Sequence, residues 1–152
     1  MSDCGLTNNA GTFSVSTTAA NSVLTESGFE ALSYTQVPKM GTHGDTGVTQ
    51  NGVIYSTWDN PVACKGKGEA NAGDPTVEFL DVSSAGMDLM LAYAAVANAN
   101  SYATKVEWAD GSIEYNRGII MGPTRPKGAN QDFKRVIFTL GYNQEPVIVA
   151  AP

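Results

Sequence analysis

The sequence predicts a mainly β chain: two packed antiparallel sheets, as a sandwich or open barrel, with one flanking α-helix. Three observations predict it. Runs in which apolar and polar residues alternate recur along the chain, most clearly over 76–82, 102–108 and 113–121, and that period of two marks half-buried strands. Turn residues separate these runs, above all Asp110-Gly111, a dipeptide that accepts the positive φ of a tight hairpin. Helical spacing occurs after Ser83, where Met87, Leu91, Ala94 and Ala95 recur.

Taken in order, residues 1–27 are dominated by Ser, Thr, Asn, Ala and Gly and read as an N-terminal arm, with a short strand at Thr12–Ser16 carrying Phe13 and Val15. Residues 29–37 read as a strand, with Leu32 and Tyr34 on one side, until Pro38 removes a ladder donor. From 38 to 74 glycine recurs (Gly41, Gly44, Gly47, Gly52, Gly66, Gly68, Gly73) and only Gly52–Trp58 has strand character. A polar segment of that length is usually disordered or functional, and the flanking strands suggest a protruding hairpin or flap that a partner orders.

Thr76–Val82 is the next strand, with Val77 and Phe79 on one side. Ser83 or Ser84 can cap the helix that follows, Asp88 sits near its positive end, and Asn98 and Asn100 are expected to close it. In the hairpin around Asp110-Gly111, Tyr102, Thr104, Val106 and Trp108 share one face; Ala103, Lys105 and Glu107 share the other. After a Pro- and Gly-rich turn, 133–142 and 147–150 read as the last strands. The 152 residues and 42% hydrophobic content suit one domain.

A net charge of −6 argues against a chain that grips nucleic acid, because phosphate binding needs clustered Lys and Arg. Only 16% of residues are charged, so much of the surface is small and polar. Such a surface buries against copies of itself at little desolvation cost. The start of the chain lacks a basic, apolar secretory signal and no later run is long and apolar enough to span a bilayer, so a cytosolic product without membrane association is expected. Cys4 and Cys64 have neither C-x-x-C spacing nor nearby histidines and read as free thiols.

Catalytic chemistry finds little support. Gly68–Gly73 has the frame of a phosphate-binding loop, but Asp74 and Pro75 stand where Lys and Ser or Thr are needed. His43, the sole histidine, lies in the glycine-rich segment, a poor platform for a preorganised triad. Asp81, Asp88, Glu107, Asp110 and Glu114 each have a local role as strand, helix-start or hairpin residues, and Asp45-Thr46-Gly47 does not continue as a calcium loop. Lys65, Lys67, Arg125, Lys127, Lys134 and Arg135 lack interleaved aromatics for base stacking, which leaves salt links to acidic neighbours. No enzyme activity, metal or cofactor is expected.

The ordered set of segments resembles the major tail tube proteins of long-tailed, lambda-like phages. The resemblance is carried by Asn51-Gly52-Val53-Ile54-Tyr55, by Lys65-Gly66-Lys67-Gly68 through Ala72-Gly73-Asp74, and by Leu91-Ala92-Tyr93. It continues through residues 103–111, Arg117-Gly118 and Gln144-Glu145-Pro146-Val147-Ile148-Val149. It implies a structural virion protein, assembled in the host cytoplasm, that forms stacked hexameric rings around a lumen through which DNA passes without specific binding. Tape measure, terminator and initiator proteins would be its further partners.

By that analogy the strands at 29–37, 52–58, 102–108 and 113–121 would line the lumen, with Glu30, Lys105, Glu107 and Glu114 as lumen-facing candidates. The flap, with Met40, Gly41, His43, Asp45, Tyr55, Lys65 and Lys67, would contact the adjacent ring. Deleting 41–49 is then expected to leave a folded protein that does not stack. Some relatives carry an additional immunoglobulin-like domain at the C-terminus; none follows here, so a smooth tube is expected. Two other readings stand beside this one: a monomeric β-sandwich binding module with Tyr55, Trp58 and Tyr93 as an aromatic platform, and another tail ring protein, such as a terminator or hub.

Overall fold

The computed structural model describes residues 7–152; Cys4 and the start of the predicted arm lie outside them. The elements run β1 (Thr12–Ala19), α1 (Glu26–Glu30), β2 (Tyr34–Val37), β3 (Met40–His43), β4 (Thr49–Tyr55), β5 (Cys64–Asn71), β6 (Thr76–Leu80), α2 (Ala85–Tyr93), β7 (Tyr102–Glu107), β8 (Ile113–Thr124), β9 (Arg135–Tyr142) and β10 (Val147–Val149). One sheet has eight strands, in the order β2-β1-β7-β8-β9-β6-β3, with β10 paired to β8; β4 and β5 form a separate sheet. All these pairings are antiparallel.

The long strand β8 turns one sheet into two layers. Its first half, to Gly118, pairs with β7, and from Gly118 onward it pairs with β9. At the changeover a Cβ on Gly118 would stand 2.1 Å from the Gly141 carbonyl oxygen, so only glycine permits this approach. The inner faces meet in a core of Phe13, Val15, Val37 and Val106 from one layer and Val77, Phe79, Val136, Phe138 and Leu140 from the other. Phe13 and Phe79 touch across it with ring centroids 5.6 Å apart. Each such buried side chain contributes about 1.5–3 kcal/mol of transfer free energy.

Helix α2 closes one side of the core. Ser84 caps it, its hydroxyl accepting from Met87 N at 3.0 Å, which is worth about 1 kcal/mol. Gly86 lies flat on β2, where a Cβ would come within 2.2 Å of the Gln36 carbonyl oxygen. Met87, Met90, Tyr93 and Ala94 are buried while Ala95 is exposed, so the buried stripe runs slightly round from the predicted one. The helix also ends earlier than expected, at Tyr93. Asn98 instead orders the next turn, accepting from Asn100 N at 3.1 Å.

Residues 29–37 are not one strand. Thr25 caps a short helix, accepting from Gly28 N, and Phe29 falls inside that helix. The helix turns Phe29 onto the outer face of the β7–β8 pair, stacked on Tyr115 with centroids 5.2 Å apart. A second cluster forms there from Ala20, Phe29, Ala103 and Tyr115. The face of β7 that carries Lys105 and Glu107 is therefore covered at Ala103.

The glycine-rich segment is likewise more ordered than its composition suggests. Its start supplies β3, paired to β6 with Met40 opposite Phe79 and His43 opposite Val77. The two ends of the sheet path, β2 and β3, are thus consecutive in the chain, joined by Pro38 and Lys39; the Lys39 carbonyl accepts from Leu80 N at 3.0 Å. The predicted strand at 52–58 is β4, but it pairs only with β5. It does not join β7 and β8, as the lumen analogy had placed it.

Candidate assembly surfaces

The β4–β5 hairpin stands away from the body. Tyr55 pairs with Cys64, Val53 with Gly66 and Thr49 with Asn71, with a register shift after Gln50. Every β4 residue is exposed, and all of β5 except the half-buried Gly68. Tyr55 retains 72% of its accessible surface, Ile54 66% and Trp58, in the connecting loop, 107%. Alternation puts Ile54, Lys65 and Lys67 on one face and Val53, Tyr55 and Cys64 on the other. A two-stranded hairpin is marginal in water, and this one leaves its apolar side chains uncovered on both faces.

Two glycines mark the hairpin's base. Gly47 and Gly73 have φ of 141° and 89°, values that side-chain-bearing residues rarely adopt. Beyond them the chain rejoins the body, with Tyr142 N donating to the Gly73 carbonyl and Leu140 N to that of Pro75.

The residues predicted for the flap divide between two places. Tyr55, Lys65 and Lys67 are on the hairpin; Met40, Gly41 and His43 belong to β3, and Asp45 follows it. Deleting 41–49 would therefore cut a main-sheet strand, so the expectation of a folded variant does not hold for that deletion. Met40, Gly41, His43 and Asp45 line a cavity of about 380 Å³ at this end of the sheet, together with Thr46, Val106, Trp108 and Glu114.

The lumen candidates also divide. Lys105 and Glu107 lie on the outer face of β7, half-buried, and the Lys105 ammonium sits 5.1 Å from the centre of the Tyr34 ring. Glu30 is exposed at the end of α1. Burial first, then the charges of Glu30, Glu107 and Glu26, raise the Tyr115 pKa, so these acids share one neighbourhood. Glu114 does not. It pairs with Val106, faces inward, is 8% exposed and accepts from the Thr46 hydroxyl. The aromatic platform of the binding-module reading does not form: Tyr93 is buried and stacks on Tyr102 at 3.6 Å, while Tyr55 and Trp58 are exposed at the hairpin.

Sequence reasoning missed β5 and the cavity. Strand β5 has no apolar alternation because ladder bonds to β4, rather than a core, hold it; the cavity joins residues from β3, β7 and β8 that are far apart in sequence. Three of the basic residues do make salt links: Asp81 lies 3.6 Å from Arg125 and 3.4 Å from Lys134, and Glu78 lies 3.4 Å from Arg135.

No protein-family profile and no curated protein matches this chain. Among solved structures it is similar to a chain of the anti-feeding prophage baseplate, determined by electron cryo-microscopy with 6-fold symmetrisation. The TM-score is 0.67 at 7% sequence identity, covering 99% of each chain. At that identity the likeness is one of fold, and it extends over essentially the whole of both chains.

Proposed function

We propose that this chain is a structural component of a phage or phage-like tail that self-assembles into stacked hexameric rings, forming the tube through which DNA leaves the particle. The observation that carries the reading is the exposed β4–β5 hairpin, whose Val53, Ile54, Tyr55 and Trp58 have no cover among the described residues. Exposed apolar surface on a projecting, paired element marks an interaction surface. The baseplate likeness supports a tail component, and the 6-fold symmetry of that particle supports a six-membered ring. Assembly begins on an initiator, proceeds around a tape measure and stops at a terminator; the particle is built in the host cytoplasm.

In this reading the hairpin contacts an adjacent ring, and the outer face bearing Glu30, Lys105 and Glu107 fronts the lumen, where its net negative charge discourages DNA from adhering. A second reading is a ring of the baseplate or hub rather than the tube itself, favoured because the similar chain comes from a baseplate.

The test is electron microscopy of the protein over a range of concentrations, with thiol labelling of Cys64 in a Cys4→Ser background. Long tubes with Cys64 protected on assembly support the tube. Closed rings that never stack support the second reading, and persistent monomers with Cys64 always reactive, even with an initiator complex, overturn both. Replacing 51–69 by a short turn spares β3 and should leave a folded protein that no longer stacks.

A further inference from the structure

The two ends of the second layer carry opposite charge. Strands β3, β6 and β9 lie side by side. At the end where the hairpin leaves the body, each has an exposed carboxylate just beyond it: Asp45 after β3, Asp74 before β6 and Glu145 after β9. None of the three has an ion pair among the described residues. Arg117, which bonds Asn143 and Gln144 there, is 6% exposed, so its charge is withdrawn from the surface. Lys65 and Lys67 lie farther out, on the projecting hairpin.

At the opposite end the sign changes. Lys39 precedes β3, Arg125 follows β8, Lys134 precedes β9, and Lys127 lies in the loop between β8 and β9; all four are exposed. Asp81 is shared by Arg125 and Lys134, at 3.6 and 3.4 Å, and Asp132 accepts from Ala129 N at 2.7 Å. Lys39 and Lys127 are left without an ion pair among the described residues. Phe133 and Val82, 75% and 42% exposed, give this end an apolar part.

Strand β9 has eight residues, so the two ends stand roughly 24 Å apart and face away from each other. One protomer cannot bring them together; a second copy can. With a net charge of −6, copies repel on average, and attraction is confined to contacts that set this basic end against an acidic one.

We propose that Asp45, Asp74 and Glu145 of one copy dock on the end of a second copy that bears Lys39, Arg125, Lys127 and Lys134, in a head-to-tail contact. Such a contact is heterologous: it leaves one free end of each sign, and so repeats without closing. The hairpin emerges between Asp45 and Asp74, so the same junction carries Ile54 and Tyr55 towards Phe133 and Val82. Each exposed ion pair contributes little by itself; several of them, with an apolar part, act together. As the contact between stacked rings it rests on the ring reading, whereas the pairing of the two ends does not.

The experiment is sedimentation velocity of the full-length protein at low and high salt, with two double variants, Asp74→Lys/Glu145→Lys and Lys39→Glu/Lys127→Glu. None of these four side chains has an ion pair to lose, and circular dichroism checks that each variant is folded. The parent should associate, and salt should weaken it. Each variant alone should associate at least about tenfold more weakly. An equimolar mixture should recover association, because one variant then has two basic ends and the other two acidic ends. Carbodiimide coupling of isotope-labelled with unlabelled parent should join Lys127 or Lys134 of one copy to Asp74 or Glu145 of another. Variants that associate as the parent does, a mixture no better than either variant alone, or cross-links that avoid these ends would overturn the head-to-tail contact, leaving the ring reading to stand on microscopy. Cross-linked linear chains without rings would overturn the ring reading alone. No association at low salt would overturn both.

Discussion

The side-chain amide of Gln144 pairs with both backbone groups of Leu24: its Oε1 accepts from Leu24 N at 3.0 Å and its Nε2 donates to Leu24 O at 3.0 Å. The same Oε1 accepts from Arg117 Nε at 2.9 Å, and Arg117, 6% exposed, also bonds the carbonyls of Ala20 and Asn143. One amide thus ties the segment before α1 to the end of β9. Gln144→Ala should cost about 1–3 kcal/mol, the range for leaving buried polar partners unsatisfied, with faster hydrogen exchange concentrated at 24–32. Urea denaturation and amide exchange of the dilute protein check both.

Gly118 and Gly86 approach backbone that cannot yield. Gly118→Ala should destabilise by more than about 3 kcal/mol, as overpacking against a main chain does, and Gly86→Ala should loosen α2 from β2. Gly52, with nothing within 4 Å of its Cβ position, is the control: alanine there should change stability by less than about 0.5 kcal/mol. Thermal unfolding of the three variants separates these outcomes.

Burial pushes up the phenols of Tyr142, Tyr34, Tyr115 and Tyr93. A raised folded pKa means that the stabilisation is fully present below the ordinary value of 10.0 and is lost as pH rises beyond it. Unfolding should therefore begin above about pH 10 and coincide with phenolate absorbance, read in a Tyr55→Phe variant because Tyr55 is exposed in the folded protein. Phenolate appearing well before loss of circular dichroism would contradict it.

Asn116 is fully buried, and neither polar atom of its side-chain amide finds a partner among the described residues. It lies opposite Thr104, whose hydroxyl is 3.2 Å from the Tyr142 hydroxyl. Asn116→Val removes both orphaned groups with a side chain only slightly larger than asparagine, so stability should rise by about 1–3 kcal/mol; Asn116→Asp should lower it. Urea midpoints measure both.

Much of the fold is legible in the sequence because the core strands alternate cleanly: Val77 and Phe79, or Tyr102, Thr104 and Val106, have one face to bury. Phe29 misled because a capping threonine and a single buried ring make a helix too short for any periodicity to register. β3 escaped notice because it is an edge strand, anchored chiefly by β6, with only Met40 and His43 facing inward. The inward turn of Glu114 follows from its pairing with Val106, and that register depends on where the Asp110-Gly111 turn places the return strand. Local patterns therefore locate the hairpin but not which of its acids are withdrawn from solvent.

The join at Pro38 and Lys39 has a mechanical side. Three Cα steps separate Val37 from Met40, a reach of at most about 11 Å, so the first and last strands of the rolled sheet are held by covalent bonds. A pull that tries to unroll the wall at that corner loads the main chain before it loads any ladder bond. In a column of such subunits under axial load, each brick would resist splitting along its own seam, and yielding would start at the mortar between bricks.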